Sequence, residues 1–208
     1  AESFNRKRVE ERGGQIILRS VTEADGLPEL LDGVDVVFHL AATQHEMNIP
    51  DQKFRDVNVS GTRNLLEASV RAGVKRFVYV SVASIVSEVV GGAGVLTGYF
   101  DGKKTADVAV TESFGEKNSL IVKPSFIYGG DTFGITPPRV TKQYGDILVK
   151  VLGSRLVKSI AAKMPGPIKL TLAEPISVED VAKACAAGAL GLNVSDQCDG
   201  TDEIKACA

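Results

Sequence analysis

Cysteine and histidine are scarce in these 208 residues. The three cysteines, Cys185, Cys198 and Cys207, are too few and too C-terminal for a disulfide framework, and the pattern suits a reducing compartment. His39 and His45 are too few for a histidine-rich metal site, no C-x-x-C pair occurs, and no metal is expected. There is no basic excess: 24 Lys and Arg face 26 Asp and Glu, a net charge of −2, which argues against nucleic acid as a partner. No run approaches the ~20 apolar residues that span a bilayer, and the N-terminus has no signal-peptide core. Also missing is any G-x-G-x-x-G or G-x-x-G-x-x-G near the start.

What is present reads as α/β. Hydrophobic residues make up 44% and charged residues 24%, ordinary for a globular chain. The short apolar run Gln15 to Leu18 reads as a buried strand, and Thr22 to Leu31 as a short helix. Val34 to Leu40, β-branched and flanked by turn residues, is a strong strand, followed by the small pair Ala41-Ala42. Phe54 to Ala72 is the clearest helix, with Val57, Leu65, Leu66, Ala68 and Val70 on a wide apolar face. Arg76 to Ser81 and Ser119 to Val122 are further strands, with a helix from Tyr99 to about Phe114 between them. Arg139 to Ala162 reads as one long amphipathic basic helix, to be placed on a substrate region, a partner or a membrane surface. Ser177 to Leu190 is a last helix with Ser177 as its N-cap. Alternating strands and helices imply a Rossmann-type, doubly wound parallel sheet over residues 1–134, lacking its first strands. Residues 135–208 form a small, mainly helical substrate or docking region with returning sheet elements.

One spacing carries chemistry. Tyr99 and Lys103 stand four apart on a helix and so share a face. An ammonium there lowers a phenol's pKa and can hold a ribose, leaving the phenol to act as acid toward a carbonyl or base toward an alcohol. The bland alternative is a surface pair. His39, inside a buried strand, reads as a core histidine. His45 and Glu46 read as a solvated loop over the crevice.

The ordered segments V-F-H-L-A-A (37–42), N-V-S-G-T-R-N-L-L-E-A (58–68), R-F-V-Y-V-S (76–81), Tyr99 to Lys103 and K-P-S-F-I-Y-G (123–129) resemble the extended and atypical short-chain dehydrogenase/reductase superfamily over about residues 15–190. Gly98 to Lys103 and Pro175 to Ala182 are most similar to an organellar branch. That branch includes the nucleotide-binding accessory subunit of respiratory complex I, a coenzyme Q biosynthesis-associated protein and plastid homologues. The resemblance implies an NADP or NAD cofactor and a mitochondrial or plastid location. Tyr99 and Lys103 would be the acid/base pair, with Ser81 ending the strand beside the nicotinamide. Ala41 and Ala42 would line the cofactor crevice, Asn58 would brace it, Lys103 would hold the ribose, and Pro124 and Ile127 would belong to the wall between cofactor and substrate.

Four departures qualify this, one of them a Ser81 to Tyr99 segment short for a classical member, which implies a reduced active-site loop. Gln15 to Leu18 matches the family's third strand, so two strands, a helix and the glycine-rich turn are missing. The sheet would then expose an apolar edge, and the expectation is a piece of a longer chain or one covered by a partner. The family's catalytic hydroxyl falls at Val82, leaving Ser81 and Ser84 as substitutes, although side-chain alternation argues against Ser81. Ser20 stands where relatives carry an adenine-contacting aspartate. Two readings stay open: an atypical NAD(P)-dependent reductase, and a non-catalytic accessory subunit of an organellar membrane complex.

Overall fold

The computed structural model describes residues 2–43, 51–94, 96–130, 134–135, 138–193 and 195–207. Its centre is a wholly parallel sheet of β1 (Val36–His39), β2 (Arg76–Val80), β3 (Ser119–Lys123) and β4 (Gln197–Asp199), in that order. The pairs Val36 with Arg76, Phe77 with Ser119, and Ile121 with Gln197 set the register. Parallel strands need crossovers, which the helices supply on both faces. This is the Rossmann-type arrangement expected from the strand–helix alternation.

Side chains alternate along each strand, so the period-2 pattern sorts them into two cores. Phe77, Tyr79 and Ile121 pack with Val37, Leu66, Val74, Ala106 and Val110 on one face. Val78, Leu120 and Val122 pack with Ile176, Val181, Ala184, Ile204 and the three cysteines on the other. Burial of each such large side chain stabilises the fold by about 1.5–3 kcal/mol.

The helices that matter below are α1 (Thr62–Arg71), α2 (Thr97–Asn118), α3 (Lys142–Leu152), α4 (Arg155–Ala161), α5 (Gly166–Thr171), α6 (Val178–Leu190) and α7 (Thr201–Cys207). α1 continues a helical stretch from Asp51 through a π-helical segment, Arg55–Gly61. α2 breaks at Gly115, whose φ of 69° lies in the left-handed region. Ser177 caps α6 as expected: its Oγ accepts from Asp180 N at 3.0 Å. β4 returns from the C-terminal stretch to complete the sheet.

Four expectations need correction. Gln15 to Leu18 is not a strand; it carries no ladder, and Ile17 and Leu18 are exposed. A strand exists only with a neighbour to take its backbone donors and acceptors, and this segment has none among the described residues. β1 is consequently an edge, where Phe38 and Leu40 stay 47% and 65% exposed. Thr22 to Leu31 is helical only over Leu27–Leu30, because Gly26 at φ 78° cannot belong to a preceding helical turn. The single helix expected over Arg139 to Ala162 is divided: α3 ends at Gly153, and Ser154 caps α4 by accepting from Val157 N at 3.4 Å.

The fourth concerns cysteine. Cys198 and Cys207 form a disulfide, fastening β4 to α7, while Cys185 is a buried free thiol. Proximity here comes from the β4–α7 turn rather than from a framework spacing. Closing a loop of sequence separation 9 limits the unfolded chain, worth about 3 kcal/mol in the chain-entropy treatment. Thermal unfolding with and without a phosphine reductant checks this, and an unchanged midpoint would count against it.

Candidate functional site

Tyr99 and Lys103 lie one turn apart near the start of α2, which opens on Leu96 in the left-handed region at φ 56°. Tyr99 is half-buried, edge-on to Phe54 at 6.1 Å and to Phe100 at 5.2 Å between ring centroids. Burial raises its phenol above the ordinary tyrosine pKa, keeping the proton on. Lys103 is only 4% exposed. Its Nζ donates to Val80 O at 2.8 Å and lies 4.7 Å from the centroid of the Tyr79 ring. Burial pushes its pKa down to about 8 against the opposing pull of Asp107. The ammonium is thus held at the carboxyl end of β2, where ligands bind in open α/β sheets.

Asn58 braces this end. Its Oδ1 accepts from Thr43 N at 2.8 Å and its Nδ2 donates to Thr43 O at 3.3 Å, tying down the backbone that follows β1. Asn58 sits inside the π-helical segment, a kind of irregularity frequent at functional sites. The Thr62 hydroxyl donates to Asn58 O at 2.9 Å, so its lone pairs must take the His39 Nε2 proton at 2.9 Å. His39 stacks on Tyr79 at 5.3 Å.

His39 is therefore a core histidine, as its strand position implied. Burial first, then Lys103, lowers its pKa to about 4. Between that value and the ordinary 6.5 the unfolded chain binds the proton more readily. Stability is then complete above pH 6.5 and falls as the pH drops toward 4, by about 3 kcal/mol. Denaturant unfolding across that window should show the decline, and His39→Gln, which keeps a donor near Nε2, should flatten it.

A second buried cluster went unseen in the sequence. Asp107, one turn beyond Lys103, accepts an ion pair from Lys123 at 3.1 Å, with both side chains largely buried. Lys123 also donates to Gln197 Oε1 at 2.9 Å. Ser81 Oγ and Asp107 Oδ1 are both buried and neither completes a hydrogen bond of sound geometry. The hydroxyl is nevertheless near enough to favour the ionised carboxylate; burial outweighs it and Lys123, and Asp107 stays above the usual carboxylate range. The i, i+4, i+8 spacing of Tyr99, Lys103 and Asp107 was the signal available.

The other expected site residues are more dispersed. Ala41 is exposed and Ala42 half-buried at the end of β1. Pro124 is buried, and its carbonyl accepts from Ala83 N at 3.0 Å, while Ile127 pairs with Ile176 in a two-residue strand. Val82 is half-buried and offers no hydroxyl. Ser84, half-buried, donates its N–H to Asp199 Oδ1 at 3.0 Å. Ser84 lines a cavity of about 650 Å³ with Ser125, Lys169, Glu174 and Thr201. Neither Tyr99 nor Lys103 lines that cavity. His45 and Glu46 lie outside the described residues.

A parallel Rossmann-type sheet with a buried lysine one turn after a tyrosine, its ammonium at the carboxyl end of β2, is the arrangement of the short-chain dehydrogenase/reductase class. Residues 2–129 match the model of the 3-beta hydroxysteroid dehydrogenase/isomerase family, and the chain belongs to that family. A 3 beta-hydroxysteroid dehydrogenase/Delta 5-->4-isomerase of Mycobacterium tuberculosis is 36% identical over 133 residues, 55% of this chain and 36% of the relative. An Arabidopsis thaliana 3beta-hydroxysteroid-dehydrogenase/decarboxylase is 31% identical over 55% of this chain and 22% of its own. A Stigmatella aurantiaca ketoreductase of a farnesylated quinoline oxide is 29% identical over 63% of this chain and 42% of its own. The matches thus cover less than half the length of these relatives. Among solved structures, the Bordetella bronchiseptica enzyme WbmG in complex with NAD shares the fold, with a TM-score of 0.61 at 15% identity over 92% of this chain and 58% of that one.

Proposed function

We propose that this chain is part of an NAD(P)-dependent oxidoreductase that interconverts a secondary alcohol and a ketone, with Tyr99 as the proton-transfer group. The observation that carries this reading is the Lys103 ammonium, buried and fixed to Val80 O beside a half-buried tyrosine. The names of the family relatives, a hydroxysteroid dehydrogenase and a ketoreductase, support the reaction type.

The residues fit one end of a dinucleotide. A buried amine at the carboxyl end of a strand suits a ribose hydroxyl pair, and Asn58 fixes the neighbouring backbone. No glycine-rich turn for a pyrophosphate occurs among the described residues. A nicotinamide bound here would supply or accept the hydride. Tyr99 would give its proton to the carbonyl oxygen in reduction and take it from the hydroxyl in oxidation. Lys103, mostly charged below its pKa of about 8, would stabilise the phenolate that reduction leaves. Val82 provides no side-chain donor for the developing oxyanion, so that contact would rest chiefly on the Tyr99 hydroxyl.

NADH and NADPH fluorescence titrations of the purified chain test the reading. Binding of either one, abolished by Lys103→Ala, supports it, and binding of neither overturns it for this chain. A non-catalytic accessory role in an organellar membrane complex is the second reading, favoured by Val82 and by the motifs Gly98 to Lys103 and Pro175 to Ala182. Binding of a dinucleotide without turnover of any ketone would select it.

A further inference from the structure

We propose that α3 and α4 rest on an anionic lipid surface through an apolar, cation-rimmed face, holding the protein at a membrane interface without crossing it. This goes beyond the dinucleotide reading and does not depend on it.

The orientation of α3 is the first observation. Its packed side is Gly145 and Val149: Gly145 is buried, and a Cβ there would fall 1.9 Å from Tyr128 Cδ2. Tyr144, Ile147, Leu148 and Val151 stand at i, i+3, i+4 and i+7, one stripe of the helix. A surface helix turns such a stripe inward, but here it faces out, with Tyr144 67%, Ile147 59% and Val151 57% exposed. α4 repeats the arrangement: Ala161 is buried while Leu156, 72% exposed, and Ile160 face solvent. Met164 and Ile168 extend the series toward and into α5. Single exposed apolar residues are ordinary, whereas successive helices presenting their apolar stripes outward mark an interaction surface.

Charge identifies the occupant. Between residues 142 and 169 stand Lys142, Lys150, Arg155, Lys158, Lys163 and Lys169, against Asp146 alone, in a chain whose net charge is −2. Of these cations only Lys158 is ion-paired among the described residues, to Glu174 and Asp202. Lys150, Arg155 and Lys163 flank the outward apolar positions and complement anionic headgroups above acyl chains, whereas Lys142 falls on the opposite side of α3 and Lys169 lines the cavity beside Glu174. Tyr144 suits the headgroup level. No helix among the described residues is long and apolar enough to cross a membrane, so the face lies on the surface rather than spanning it.

Flotation of the full chain with vesicles of phosphatidylcholine, and of phosphatidylcholine with added phosphatidylserine, tests this. Each cation near an anionic surface contributes about fivefold, so binding to the phosphatidylserine vesicles should exceed binding to the neutral ones by tenfold or more, on the order of two such contacts. It should weaken as salt is raised. Ile147→Glu, at an exposed position, should cut binding by about tenfold with the far-ultraviolet circular dichroism unchanged. Tyr144→Ser reads the same face should that variant fail to fold. Lys150→Glu should weaken binding to the anionic vesicles only. Equal binding to both vesicle types, or binding untouched by Ile147→Glu, overturns the proposal. A concentration-dependent dimer that Ile147→Glu dissolves, with no vesicle binding, also overturns it and gives the face to a second copy.

Discussion

Tyr99→Phe is expected to cut NAD(P)H-dependent ketone reduction by about 10²–10⁴-fold, the usual worth of a positioned general acid. Dinucleotide affinity should change little. The substitution removes only the hydroxyl. The ring keeps its edge-on contacts with Phe54 and Phe100, so the start of α2 keeps its packing. Burial already holds the phenol protonated, the form that reduction needs. Val82 offers no hydroxyl to take over the oxyanion, which makes the loss larger than in a site with a second donor at that position. The check is kcat and KM for a ketone turned over by the parent, with NADH binding measured on both proteins. Activity within about threefold of the parent, well short of a general acid's contribution, would show that the proton comes from elsewhere.

The parts of the fold legible in the sequence are those set by local periodicity. Arg76 to Ser81 holds an unbroken apolar run, Phe77 to Val80, suited to a strand buried on both faces, and Phe77 and Tyr79 indeed face one core while Val78 faces the other. The helix after residue 54 was visible from its apolar face, but its π-helical segment was not, because one extra residue per turn leaves no compositional trace. Gln15 to Leu18 has strand composition and no strand, since pairing is a property of neighbours. The division between α3 and α4 was marked by Gly153-Ser154, which the apolar period across Val151, Leu152 and Leu156 obscured. That same period now has a different meaning, because the stripe it describes faces outward.

The site divides in the same way. Tyr99 and Lys103 were readable from an i, i+4 spacing, and Asn58 from its place in an ordered set of motifs. Its partner, the Thr43 backbone, follows only once β1 and the helix are packed together. Asp107 and Lys123 come from different elements, and each alone looks like a solvated charge. Their 3.1 Å pair, beside the unsatisfied Ser81 hydroxyl, is created by packing α2 against the end of β3.

Lys103→Met is expected to abolish turnover and at the same time make the protein more stable. Burial sets the lysine's pKa near 8 in the folded chain, below its ordinary 10.5, so the charged form present at pH 7 is disfavoured on folding. The shift corresponds to about 3 kcal/mol, from which the loss of the bond to Val80 O subtracts about 1–2 kcal/mol. Methionine fills nearly the same volume without a charge to desolvate, and Asp107 keeps its partner in Lys123. The sign can be read from pH. Between about 8 and 10.5 the unfolded chain holds the proton that the folded chain has released, so the parent gains stability as the pH rises through that window. The methionine variant lacks that term. Denaturant unfolding of both proteins from pH 7 to 10 should therefore show the variant ahead at pH 7, the gap closing as the pH rises. A variant less stable than the parent at pH 7 would mean that the buried ammonium supports the fold. The opposite result would mark Lys103 as a charge kept in the core for chemistry, at the expense of stability.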